Sequence, residues 1–135
     1  MTLGSLRHEI RISASADVVW DRVNDAGRLH EWFPGITDCT LDGTARTITL
    51  ASGAVMPEEI LVRDSLERRF QYRISAPIFT YHRGTIDVID LGDGTCEVVY
   101  STDADPRTMA LLIATGTRHA LEELKRQMES EELAR

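Results

Sequence analysis

The sequence predicts an α+β fold: a seven-stranded, curved antiparallel sheet wrapped around one long C-terminal helix, with two short helices after the first strand. Three observations predict it. Apolar residues at helical spacing fall near the start of the chain and in one long block at its end. Between these blocks, from Thr37 to Thr102, the hydrophobic period is close to two, in short segments broken by Asp42-Gly43, Ser52-Gly53 and Gly92-Asp93-Gly94. Strands that follow one another without intervening helices pair antiparallel, which segregates the helices. The 135 residues are read as one domain, 1–135, long enough to bury a core without staples.

Each element follows from its residues. Arg7 to Ser13 alternates, with Ile10 and Ile12 on one face, and reads as a strand. Ser13, Ser15 and Asp17 offer caps for a helix from Ala16 to Val23, whose Val18, Val19, Trp20 and Val23 lie at helical spacing. Arg28 to Trp32 forms a second short helix, stopped by Pro34 and Gly35. Thr37–Leu41 and Thr44–Leu50 make a hairpin through a type I′ turn at Asp42-Gly43. Met56–Val62 and Phe70–Ile74 are the next strands. Tyr81–Leu91 and Thr95–Thr102 form the clearest hairpin. Pro106 suits the first turn of the last helix, with Asp105 as its cap, and the helix runs from Arg107 to about Ser130. Its stripe of Ala110, Ile113, Ala114, Thr117, Leu121, Leu124 and Met128 faces the sheet. One helix cannot fill the concave side of so wide a sheet, so side chains, water or a ligand must occupy the rest.

Composition excludes several function classes. A net charge of −7 argues against nucleic acid as a partner, since phosphate binding needs clustered cations. The longest apolar run, Met109 to Ala114, is far too short for a membrane span, and Met1 to Ile10 has no apolar signal core. Cys39 and Cys96 stand alone, which fits a reducing compartment, so a cytoplasmic location is expected. His8, His30, His82 and His119 are scattered without carboxylate partners, so no metal site is expected. No glycine-rich loop precedes a helix, and no cofactor is expected.

The element order, together with Ile12 to Trp20, Glu31-Trp32-Phe33-Pro34 and Gly92-Asp93-Gly94-Thr95, resembles the START-like helix-grip superfamily in its bacterial polyketide cyclase/dehydrase (SRPBCC) branch. Glu59-Ile60-Leu61, Asp64, Arg68-Arg69 with Phe70-Gln71-Tyr72, and Ala120 to Lys125 extend the likeness over almost the whole chain. The resemblance implies an elongated cavity between sheet and C-terminal helix, suited to apolar small molecules. Hormone-receptor members carry a Ser-Gly-Leu-Pro-Ala gate. Ser52-Gly53-Ala54-Val55-Met56 stands in a comparable place without the proline, so hormone recognition is not implied.

Candidate site residues follow from strand alternation. Glu58 shares parity with Met56, Ile60 and Val62, which turns it inward. The family spacing selects Glu59 instead, and a bulge near Pro57 would reconcile the two in favour of Glu59. Whichever glutamate faces an apolar cavity has its pKa raised and suits acid–base work or ligand anchoring. His82 turns inward with Gly84, Ile86 and Val88, and Gly84 leaves room for a ligand beside it. Tyr81 adjoins it. Phe70, Tyr72 and Tyr100 form the sheet wall, Ile113 and Thr117 the helix wall, and Trp32 and Phe33 the mouth.

The expected function is binding of a small hydrophobic or amphipathic molecule, lipid- or polyketide-like. A polyketide aromatase/cyclase using Glu58 or Glu59 and His82 as catalytic groups is the enzymatic alternative, and a protein-interaction module the third. A cyclase needs a positioned acid and base, and the sequence commits to no such dyad. Met109 to Ile113 is apolar all round, and a homodimer through that segment would cover it.

Overall fold

The computed structural model describes residues 2–135. The order is β1 (Gly4–Ile12), α1 (Ala16–Asn24), a 3-10 segment (Ala26–Glu31), β2 (Ile36–Asp42), β3 (Ala45–Leu50), β4 (Val55–Asp64), β5 (Arg69–Ile74), β6 (Tyr81–Asp90), β7 (Cys96–Asp105) and α2 (Arg107–Leu133). All seven strands join one antiparallel sheet in the order β1-β7-β6-β5-β4-β3-β2. This is the expected α+β helix-grip fold.

Local corrections have physical causes. The second short helix is a 3-10 segment, kinked at Arg28. In the β2–β3 hairpin Asp42 pairs with Ala45, so the two-residue turn is Gly43-Thr44. Only Gly43 of that pair has positive φ, as a type II′ turn requires, not the type I′ expected. Asp105 belongs to β7, and α2 starts after Pro106 without a side-chain cap. Ser15 does cap α1, its Oγ accepting from the Val18 amide at 3.3 Å.

Helix α2 packs on β1 and β7, at one side of the sheet. Small residues let it approach: Ala104, Ala110, Ala114 and Ala120 are buried along this contact. Gly4 is required there, because a Cβ would lie 2.7 Å from the Ala110 Cβ and 2.8 Å from the Arg107 carbonyl oxygen. Strands β2 to β5 extend beyond the helix, and their concave face is the space left over. Helix α1 packs on β6, and the 3-10 segment packs on β2 and β3.

Two irregularities shape that space. The β4–β5 register shifts between Ile60 and Val62, so the bulge follows the two glutamates and leaves their parity intact. The β5–β6 ladder ends at Tyr72 opposite Gly84. Further on, the Ile74 amide donates to Nδ1 of His82 at 2.9 Å, and a side chain takes the place of a strand. At Gly84 the freed volume belongs to Tyr72, not to a ligand as expected. A Cβ there would come within 2.5 Å of the Tyr72 ring, which packs across the backbone. Gly84→Ala is therefore expected to destabilise the fold by about 1–3 kcal/mol through overpacking, read from urea unfolding at neutral pH.

Candidate functional site

Between the concave face of β2–β5 and the first turns of α2 lies a cavity of about 430 Å³. The sheet contributes Ile36, Ile48, Met56 and Ile74, and α2 contributes Met109, Leu112 and Ile113. Phe33 and Phe79 close it from the loops, and Ala51 and Ser52 bring the β3–β4 turn to its rim. Phe33 lies against Gly116 of α2, where a Cβ would stand 3.3 Å from its ring.

One charged residue lines this apolar space among the described residues: Glu58. The β3–β4 register sets it directly opposite Arg46. Both side chains are only 2% exposed. Arg46 Nε donates to Glu58 Oε1 at 2.7 Å, and Nη1 donates to the Ala26 carbonyl at 3.2 Å. Nη2 stands 2.7 Å from the same Oε1 but is not aligned for a hydrogen bond, and it is buried. The guanidinium lies over the rings of Phe70 and Tyr72, at 5.3 Å and 5.0 Å from their centroids. Burial pushes the Glu58 carboxyl above its ordinary pKa, against the pull of Arg46. The Tyr72 hydroxyl shares a hydrogen bond of 2.6 Å with that of Tyr100, and burial raises both phenols.

The residues singled out from sequence separate into three groups. Phe33, Tyr72, Ile113 and Glu58 line the cavity. Phe70, Tyr100, Trp32 and Thr117 are buried behind it. Phe70 supports Arg46, Tyr100 holds the Tyr72 hydroxyl and meets Phe33 edge-on, and Trp32 packs against Phe33 in the core. Thr117 spends its hydroxyl on the Ala114 carbonyl of its own helix. The third group lies off the cavity. Glu59 takes the outer face, where its carboxylate accepts from the Thr44 hydroxyl at 2.8 Å. Undisturbed alternation over Met56–Ile60 puts Glu58 inside, which corrects the preference for Glu59. Tyr81 is exposed, and with His82 it borders a second cavity of about 370 Å³ beside the opening between β5 and β6.

Arg46 escaped the sequence reading. Its signal was there: it shares parity with Ile48 and Leu50 in β3, facing the same side as Glu58. Both thiols are buried, and burial raises Cys39 and pushes Cys96 up to about 11, which disfavours the thiolate. No cluster of three or more metal-ligating side chains occurs among the described residues. No helix among them is long and apolar enough to cross a membrane.

Residues 4–129 match the family described as polyketide cyclase / dehydrase and lipid transport. Solved structures with the same fold include a START superfamily protein from Mycobacterium smegmatis, with 15% identity over 93% of this chain and 97% of that one, TM-score 0.78. Norcoclaurine synthase from Thalictrum flavum, in complex with dopamine and hydroxybenzaldehyde, is 21% identical over 93% of this chain and 86% of its own, TM-score 0.73. The di-domain ARO/CYC BexL from the BE-7585A biosynthetic pathway is 21% identical over 90% of this chain and 45% of its own, TM-score 0.75. No curated protein matches the sequence.

His82 is neutral in this arrangement. Nδ1 accepts from the Ile74 amide, Nε2 is sealed without a partner, and burial lowers the pKa from 6.5 to about 4 despite nearby Asp103. The unfolded chain takes up this proton first as pH falls. The stability His82 contributes is therefore complete above pH 6.5 and is lost progressively down to about pH 4. The loss is on the order of 3 kcal/mol, and His82→Gln, which keeps an acceptor without the titration, is expected to show a shallower decline in urea midpoint over that window.

Proposed function

Since the chain belongs to the polyketide cyclase / dehydrase and lipid transport family, we propose that its cavity binds a small hydrophobic or amphipathic molecule, lipid- or polyketide-like, and carries it. The observation that carries this reading is an apolar pocket with a single carboxylate on its wall among the described residues. Such a site holds an apolar body by burial and orients it by one polar contact.

Polyketide cyclisation is the second reading, favoured by the raised carboxyl of Glu58. It needs an acid and a base within reach of one substrate. Glu58 is tied to Arg46, and His82 borders the neighbouring cavity with its Nδ1 engaged. Carriage asks less of these residues than cyclisation does. The acidic net charge and two buried thiols accord with a cytoplasmic protein that does not bind nucleic acid.

Binding is tested by filling the cavity. Ile113→Trp is expected to weaken binding of the neutral fluorescent probe N-phenyl-1-naphthylamine about tenfold or more while the thermal midpoint holds. Unchanged affinity would place the probe elsewhere and overturn the reading. A homodimer through Met109–Ile113 is part of the same proposal, because Leu111 and Leu112 are 57% and 69% exposed and a second copy would cover them. Light scattering is expected to give a dimer mass for the parent and a folded monomer for Leu111→Glu/Leu112→Glu. A monomeric parent rules the dimer out.

A further inference from the structure

The two contacts that tie Glu58 to Arg46 converge on one oxygen. Nε and Nη2 of Arg46 both reach Oε1, at 2.7 Å each. Oε2 accepts no hydrogen bond among the described residues. It is not sealed off as Arg46 Nη2 is, and Glu58 lines the cavity. A buried carboxylate oxygen left open toward an apolar cavity is a strong acceptor in want of a donor. Resting on the ligand-binding reading above, we infer that the cavity selects apolar molecules carrying a neutral hydroxyl, alcohol or phenol, which donates to Glu58 Oε2.

Charge excludes the other common head groups. Arg46 and Glu58 sum to zero, so an ammonium would bring a net positive charge into a pocket with no second anion on its wall among the described residues. A carboxylate head would set acceptor against acceptor beside Glu58. Arg46 cannot serve such a head instead. Its Nε and Nη1 are engaged, its Nη2 is buried, and its face is covered by Phe70 and Tyr72. Ethers and esters offer only acceptors and leave Oε2 unsatisfied. A neutral hydroxyl supplies one donor and no charge, and its apolar body has Phe33, Phe79 and the aliphatic wall to cover it.

The test displaces N-phenyl-1-naphthylamine from the intact protein with four molecules of matched chain: 1-decanol, decyl methyl ether, decylamine and decanoate. Decanol is expected to compete about tenfold or more better than each of the other three, the advantage of one hydrogen bond to a charged group. That advantage should vanish in Arg46→Met/Glu58→Met, which replaces the pair by apolar side chains of similar length and is expected to stay folded and to bind the probe. Glu58→Gln, if folded, should lessen the preference. Equal competition by decanol and its ether in the parent overturns the inference while leaving the cavity reading intact. So does an advantage that persists in the double variant. Failure of the probe to bind the parent overturns the cavity reading, and the inference with it.

Discussion

Two opposite charges taken out of water hold the β3–β4 hairpin to the 3-10 segment and to the aromatic floor of the cavity. Arg46 reaches Glu58 across the hairpin, the Ala26 carbonyl at the start of the 3-10 segment, and the faces of Phe70 and Tyr72 on the next strand. Desolvating both ions costs more than their attraction returns unless the geometry is good, so the pair is poor evidence of stability by itself. Its effect is positional. Removing either partner leaves a buried charge, at about 3–5 kcal/mol. The hairpin register, the placement of Ala26 and the pose of Tyr72 are thereby constrained together. The polar spot in the cavity is a by-product of that constraint, because only one carboxylate oxygen is needed to satisfy it.

Much of this was legible in the sequence, and the failures are instructive. Helix and strand positions followed from periodicity, since a period of 3.6 and a period of two are hard to confuse over ten residues. Alternation also identified Glu58; the error lay in moving the bulge to Pro57, when it falls after Ile60. Alternation says which face a residue takes but not how deep it lies. Phe70 and Tyr100 take the inward face of their strands, yet both are buried without lining the cavity. Arg46 was missed because a charged residue at an inward position reads as an exception until its partner on the next strand is seen.

The opening between β5 and β6 could not be read at all. Gly84 looked like room for a ligand, and it is room for Tyr72. His82 looked like a proton carrier, and it acts as a wedge that caps the Ile74 amide where the strands part. Both outcomes depend on where one ladder stops, which no property of the separate strands encodes. Ile74 and Phe79 consequently border two cavities, one on each side of the gap.

The small-residue seam where α2 meets β1 and β7 has a consequence for how such a protein diversifies. Gly4, Ala104, Ala110 and Ala120 hold helix to sheet, and none of them lines the cavity. The residues that do line it lie largely on β2–β5 and on the face of α2 turned away from the seam. Mutations that reshape the enclosure therefore leave the joint that keeps the helix in place untouched. The seam and the lining are different sets of side chains, while Leu29, Ile36, Ile48 and Tyr72 serve the core and the cavity at once. A scaffold of this kind can be recruited to new molecules by exchanging the partly buried lining residues Leu50, Met56, Ile74 and Ile113 while the helix stays docked on the sheet.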